Sequence, residues 1–139
     1  MEIAEEISII STAQQVRSLL ERAERRIAQA EVPQQIADDI SVALLEAVNN
    51  AIIHGNQRSY NKQVNVRLVI GDRKVELKVS DEGQGFDPSK LEDPCRPENI
   101  YQPNGRGLFF IRKLMDEVEI NSSREGSEIV MRKYWGAIS

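Results

Sequence analysis

The sequence predicts an α+β domain, with helices covering one face of a mixed, mainly antiparallel sheet. Three observations lead there. Two early segments carry apolar residues at helical spacing, and a middle pair alternates apolar and polar residues with period two. The element order is then strand, two helices, hairpin, long loop, helix and final hairpin.

Ile3 to Ile10 mixes apolar and acidic residues and turns β-branched, which reads as a strand. Ser11 and Gln14 have capping-box spacing, so a helix opens there. Its stripe is Val16, Leu19, Leu20, Ala23, Ile27 and Ala30. Arg17, Glu21, Arg22, Glu24 and Arg25 supply the other faces, read as solvated. Pro33 suits the first turn of a second helix. That helix is expected to reach about His54, with Ile36, Ile40, Ala43, Leu44, Ala47, Val48, Ala51 and Ile52 as its apolar side and Gly55 as its stop. Asn56 to Lys62 is polar and reads as a loop. Val64, Val66, Leu68 and Ile70 alternate, Gly71-Asp72 marks a turn, and Val75, Leu77 and Val79 return. From Asp81 to Gly107 the chain is rich in Gly, Pro, Asp and Asn, and a loop of that length inside a compact domain is usually functional. Leu108, Phe109, Ile111, Leu114 and Met115 mark a third helix. Strands near Val118–Asn121 and Ser127–Lys133 flank a turn at Arg124-Glu125-Gly126.

The 139 residues fit one domain, expected to span 1–139. Hydrophobic residues make up 40% and charged residues 29%, ordinary for a soluble globular protein. A net charge of −4 gives no support to a nucleic-acid partner, whose phosphates call for a basic surface. Cys95 is the only cysteine, which rules out an intrachain disulfide and suits a reducing compartment. No apolar run approaches the ~20 residues of a membrane span. The acidic start Met1-Glu2-Ile3-Ala4-Glu5-Glu6 lacks the features of a signal peptide. A cytoplasmic location is therefore expected.

Three constellations can carry chemistry. Glu46, Asn50 and His54 stand at i, i+4 and i+8 on the second helix, hence on one face. A carboxylate can accept a proton from a hydroxyl, and an amide oxygen can ligate Mg²⁺. Asp81-Glu82-Gly83-Gln84-Gly85-Phe86 follows a strand directly. Its glycines let a ligand approach the backbone, and an aspartate at a strand end can accept from an amino group such as that of adenine. Guanine presents an acceptor there and would be disfavoured. Asn104-Gly105-Arg106-Gly107 precedes a helix, where free N–H groups and the dipole favour anions. Arg106 could add charge to a phosphate contact. Read alone, each has a plainer alternative: a solvated helix stripe, a glycine-rich turn and a flexible helix start. No G-x-x-x-x-G-K-[ST] occurs, and the glycines at 83 and 85 lack the third of a dinucleotide fingerprint.

In this order the three constellations resemble the GHKL ATPases: gyrase B, heat-shock protein 90, sensor histidine kinases and MutL. Glu46-Ala47-Val48-Asn49-Asn50-Ala51 with His54-Gly55 looks like the N box. Asp81-x-Gly83-x-Gly85 looks like the first glycine box and Gly105-Arg106-Gly107-Leu108 like the second. Gly126-Ser127 is similar to the Gly-Thr that closes the nucleotide site, with serine in place of threonine. The resemblance implies a Bergerat fold, a two-layer α/β sandwich holding ATP between helices and sheet. It further implies that Asn50 holds Mg²⁺, that Asp81 binds the adenine amino group, and that residues 86–104 form a lid. That lid is rich in proline here, with Pro88, Pro94, Pro97 and Pro103.

Gyrase B, heat-shock protein 90 and MutL need further domains, for which 139 residues leave no room. A sensor histidine kinase needs a separate phosphoacceptor helix, and the sole histidine here, His54, is better placed for capping or loop anchoring. Glu46–Gly55 and Phe109–Val118 are similar to the anti-sigma-factor serine kinases. That resemblance implies a protein serine/threonine kinase that uses ATP and Mg²⁺, binds a sigma factor, phosphorylates a STAS-domain antagonist and dimerises. Glu46 would be the general base or would orient the hydroxyl. Asp81, Gly83 and Gly85 would seat adenine, and Gly105, Arg106, Gly107 and Leu108 the phosphates, with Ser127 closing the site. The alternative is a nucleotide-gated binding protein of the same fold that transfers no phosphate.

Overall fold

The structure is a computed structural model that describes residues 2–55, 62–82, 103–123 and 126–136, without the side chains of 54, 55, 103–107, 122 and 123. Strand β1 (Ile3–Ile10) leads into α1 (Ala13–Gln29) and α2 (Gln34–Asn50), and α2 continues as a π-helical turn, Ala51–Gly55. Strands β2 (Gln63–Gly71) and β3 (Lys74–Asp81) form a hairpin. Helix α3 (Pro103–Leu114) and the hairpin of β4 (Glu117–Ser123) with β5 (Gly126–Tyr134) complete the order. The strands form one five-stranded sheet, β1-β2-β3-β5-β4. Every pairing among the described strands is antiparallel, so the parallel pair that a mixed sheet would require is not there. The α+β architecture itself is as expected.

Period-two alternation builds the apolar layer. Val66 stands opposite Val79, Leu68 opposite Leu77 and Ile70 opposite Val75, while Leu77 and Val79 face Met131 and Ile129 of β5. All of these are buried. The helices cover that layer with Leu19, Ala23 and Ile27 of α1, Ile40, Ala43, Leu44, Ala47 and Val48 of α2, and Ile111 of α3. Polar residues of β2, β3 and β5 take the opposite face. There Arg132 pairs with Glu76 at 2.8 Å, Glu117 at 3.3 Å and Glu119 at 3.4 Å, and Lys78 with Glu128 at 3.8 Å. The carboxylate of Glu76, which accepts a hydrogen bond from Arg132, drives the guanidinium pKa further up despite its partial desolvation.

Several local expectations shift. Thr12, not Ser11, caps α1, and its hydroxyl accepts from Gln15 N at 3.2 Å. Gln15, not Gln14, reaches back to accept from Ile10 N at 2.8 Å. Ser11 is instead buried and donates to the carbonyl of Lys62. The hydroxyl–x–x–amide pattern occurs twice in succession, and the end of β1 selects the second. Pro33 occupies the cap position just ahead of α2 rather than its first turn. The β2–β3 turn is Asp72-Arg73, one residue later than expected, because Gly71 pairs with Lys74 and Arg73 takes the left-handed conformation, φ 60°. Helix α3 begins at Pro103, a favoured first helical residue. The loops at 56–61 and 83–102 and the turn residues 124–125 lie outside the described residues.

The arginines of α1 are exposed as expected, and two of them, Arg22 and Arg26, also hold a carboxylate of β1. Glu5 points from β1 to the helix side, where its carboxylate takes hydrogen bonds from Arg22 Nη2 and, at 2.7 Å, from Arg26 Nε. Its side chain is 13% exposed, against 47% and 45% for the arginines. Burial pushes the Glu5 carboxyl up, but the hydrogen bonds and charges of Arg26 and Arg22 outweigh it and leave the pKa below its usual value. A depressed carboxylate contributes stability above its unfolded pKa and loses it as pH falls through the folded value. Glu5→Gln should therefore cost about 1 kcal/mol at pH 7. Urea melts should show the two proteins converging below about pH 4, and an equal gap at pH 7 and pH 3 would exclude an ionic origin.

Candidate active site

β3 is central in the sheet and ends at Asp81. β5, its neighbour, begins with Gly126-Ser127. The register brings the two ends together although they lie 46 residues apart. Ser127 N donates to Asp81 Oδ1 at 3.1 Å, and Ser127 Oγ donates to Oδ2 at 2.6 Å. Ser127 is one of the few buried polar residues, and the aspartate holds its hydroxyl. These bonds use two of the about four acceptor sites of a carboxylate. The aspartate is thus held in one orientation at the edge of the apolar layer.

Gly126 makes that approach possible. Its φ is +148°, and a Cβ there would stand 2.1 Å from the Asp81 carbonyl oxygen. Any side chain at 126 would drive the two strand ends apart. Beside them, Glu82 Oε2 accepts from Gln63 N at 3.1 Å, joining the end of β3 to the start of β2.

Glu46 and Asn50 project from the last turns of α2, both half-buried. Asn49 lines a shallow groove with Thr12, Val16, Leu20 and Ile52, on the α1 side. Successive helical residues are turned by about 100°, so Asn50 points away from that groove. The π-helical turn packs on β3 and β5. π turns inside helices are frequent at functional sites, and this one corrects an expectation. His54 was to continue the stripe of Glu46 and Asn50, but residues 51–55 leave the 3.6-residue period, and only Glu46 and Asn50 share the α-helical face.

The second glycine segment is also displaced. Gly105, Arg106 and Gly107 lie inside the first turns of α3 rather than ahead of it. By α-helical geometry the Gly107 N–H is directed at the Pro103 carbonyl, and the amides at 104 and 105 are the ones left at the helix start. Leu108 is half-buried on the same helix. Gly83, Gly85 and lid residues 86–102 lie outside the described residues, as does the Arg106 side chain. The structure therefore joins Asp81 to Ser127 and sets Glu46 and Asn50 one turn apart on α2, which packs against β3, β5 and α3. The direct Asp81–Ser127 bond was not foreseen. The signal for it is strand register, which single-sequence alternation leaves undetermined.

Residues 9–133 match the family of the histidine kinase-like ATPase domain. The chain belongs to this family. Within the family, it is 33% identical over 103 residues to the serine-protein kinase RsbW of Oceanobacillus iheyensis, a match that covers 70% of this chain and 65% of that protein. It is also 33% identical over 106 residues to the anti-sigma F factor of Clostridium acetobutylicum, covering 73% of this chain and 72% of that one. The crystal structure of the RsbU and RsbW domains of Rv1364c from Mycobacterium tuberculosis superposes with a TM-score of 0.66 at 22% identity, covering 95% of this chain and 32% of that one. That likeness supports the histidine kinase-like ATPase fold.

The clamp gives a direct test. Gly126→Ala should destabilise the domain by about 1–3 kcal/mol from backbone strain, and more from the steric clash. Ser127→Thr should stay within about 1 kcal/mol of the parent because the hydroxyl is kept. Chemical denaturation of both variants measures this, and a Gly126→Ala protein as stable as the parent would show that the strand ends are not this close.

Proposed function

We propose that this chain is an ATP-dependent serine/threonine kinase of the anti-sigma-factor type, which phosphorylates a STAS-domain antagonist and binds a sigma factor. The observation that carries this reading is the Asp81–Ser127 clamp at the end of the central strand. It lies in a chain about one-third identical to proteins named serine-protein kinase and anti-sigma F factor.

In this reading Asp81 accepts the adenine amino group, and its bonds to Ser127 keep the carboxylate aimed. Gly83 and Gly85 let the base approach. The start of α3, with Gly105, Arg106, Gly107 and Leu108, meets the phosphates, where the free amides at 104 and 105 and the helix dipole favour anions. Asn50 offers an amide oxygen on a firmly packed helix. Mg²⁺ prefers oxygen and commonly takes one or two protein ligands together with substrate phosphates. One amide oxygen fits that pattern, and among the described residues no cluster of acidic, His or Cys side chains forms an all-protein cage. Bound there, the ion would neutralise charge on the phosphates.

Glu46 stands one helical turn before Asn50 on the same face. As general base it takes the proton of the acceptor hydroxyl. The hydroxyl oxygen then bonds to the γ-phosphorus, and the bond from that phosphorus to the bridging oxygen breaks to release ADP. Such transfer depends on positioning and electrostatics, and Glu46 and Asn50 are held at the edge of a fully buried helix stripe. A cytoplasmic location is part of this reading, and no described helix is long and apolar enough to cross a membrane. A homodimer is part of the same reading.

The test is incubation with labelled ATP, Mg²⁺ and a STAS-domain partner. Label should reach a partner serine or threonine. Glu46→Gln should slow transfer by about 10²–10⁴-fold while ATP still binds. Transfer at the parent rate would remove Glu46 from the role of base. ATP binding by the parent without any transfer would replace the kinase with a nucleotide-gated binding protein.

A further inference from the structure

The far end of α3 is fastened in an unusual way. A helix leaves its last carbonyls without internal partners, and cations near that end are favoured. α3 has two cations of its own in the last turn, Arg112 and Lys113. Lys113 lies instead over the Phe109 ring, 5.2 Å from its centre. The carbonyl of Leu114, the last residue of α3, accepts at 2.6 Å from Lys133 Nζ, a cation of β5. The same ammonium stands 3.6 Å from Asp39 Oδ2 on α2. Both side chains are largely buried, 14% and 21% exposed. Gln35, one turn earlier on α2, donates to the other Asp39 oxygen at 3.4 Å. Two more bonds secure the junction: Asp116 N donates to the Arg132 carbonyl at 2.9 Å, and Tyr134 N donates to Asp116 Oδ2 at 2.7 Å.

One ammonium thus joins three elements. α2 carries Glu46 about 10 Å along its axis from Asp39, at 1.5 Å per residue. α3 carries the Gly105–Leu108 segment at its opposite end, and twelve residues make it about 18 Å long. A tilt of about 5° at the Leu114 end would move the first turn by about 1.6 Å over that length. Misplacement of this size is costly in sites that work by positioning.

We propose that Lys133 is a positioning residue for the phosphate end of the nucleotide site. By joining the Leu114 carbonyl to Asp39 it fixes the start of α3 relative to Glu46 and Asn50. This rests on the reading of the α3 start as the phosphate-holding turn. Asp81 and Ser127, which would seat the base, make no use of the junction.

The experiment compares ATP with adenosine. Calorimetry or a competition assay on the full chain, parent and Lys133→Met, gives both dissociation constants at a temperature where both proteins are folded. Lys133→Met should weaken ATP binding about tenfold and leave adenosine binding unchanged. Lys133→Arg should recover most of the loss, because a guanidinium can still donate to the carbonyl and pair with Asp39. Should Lys133→Met fail to fold, Asp39→Asn keeps the helix cap and removes the ionic tie, and should show a smaller loss confined to ATP. Equal loss of both ligands, or loss of neither, overturns the positioning role and leaves the functional reading intact. A parent protein that binds ATP no more tightly than adenosine overturns the phosphate role of α3 itself, and the inference with it.

Discussion

The close seating of α2 on the sheet is the constraint from which the rest of the site follows. Its stripe of Ile40, Ala43, Leu44, Ala47 and Val48 is fully buried. Two of those five positions are alanine, so the helix lies near whatever covers it. α1, α3, β3 and β5 all pack against it. A helix enclosed in this way has little freedom to rotate, because interiors are packed as densely as molecular crystals. The polar residues at its edge are therefore placed by its apolar residues. Glu46 and Asn50 are half-buried where they are because Ala47 and Val48 fill the core.

The two faces of the sheet divide the electrostatics. Charges on the open face pair with one another, with Arg132 among three glutamates. On the helix side of β1 the one carboxylate, Glu5, is held by two arginines of α1. It serves as a fastening between edge strand and first helix and lies on a different element from the candidate active site. Ion pairs at a surface contribute little each, so the arrangement matters more for where α1 sits than for total stability.

Much of this was legible in the sequence because it rests on periodicity. The bounds of β1 and the alternation from Val64 to Val79 follow from side chains that must face one layer. The helical stripes and the approximate place of the last hairpin follow in the same way. What escaped depends on neighbours distant in the chain. The choice of Thr12 over Ser11 as cap is made by the end of β1 and by Lys62. The π turn arises where α2 meets the sheet, at residues whose composition suits an ordinary helix equally well. Pro103 reads as part of a loop until the chain is seen to turn helical there. The Lys133–Leu114 bond has no sequence signal, since α3 carries nearer cations. Of the candidate site, the residue types and their order could be read. The bond between Asp81 and Ser127 required the β3–β5 register.

That register has a consequence for how the molecule assembles. β2 with β3, and β4 with β5, are hairpins between neighbours in the chain, and such contacts close quickly. The β3–β5 junction joins segments separated by residues 82–125, α3 and β4 among them, and closing a longer stretch of chain costs more entropy. The Asp81–Ser127 clamp sits on this slow junction, so it cannot form in a half-built sheet. A newly made chain acquires this corner only when β3 and β5 pair. A ligand that binds only the paired strands would favour that state over the open one by mass action.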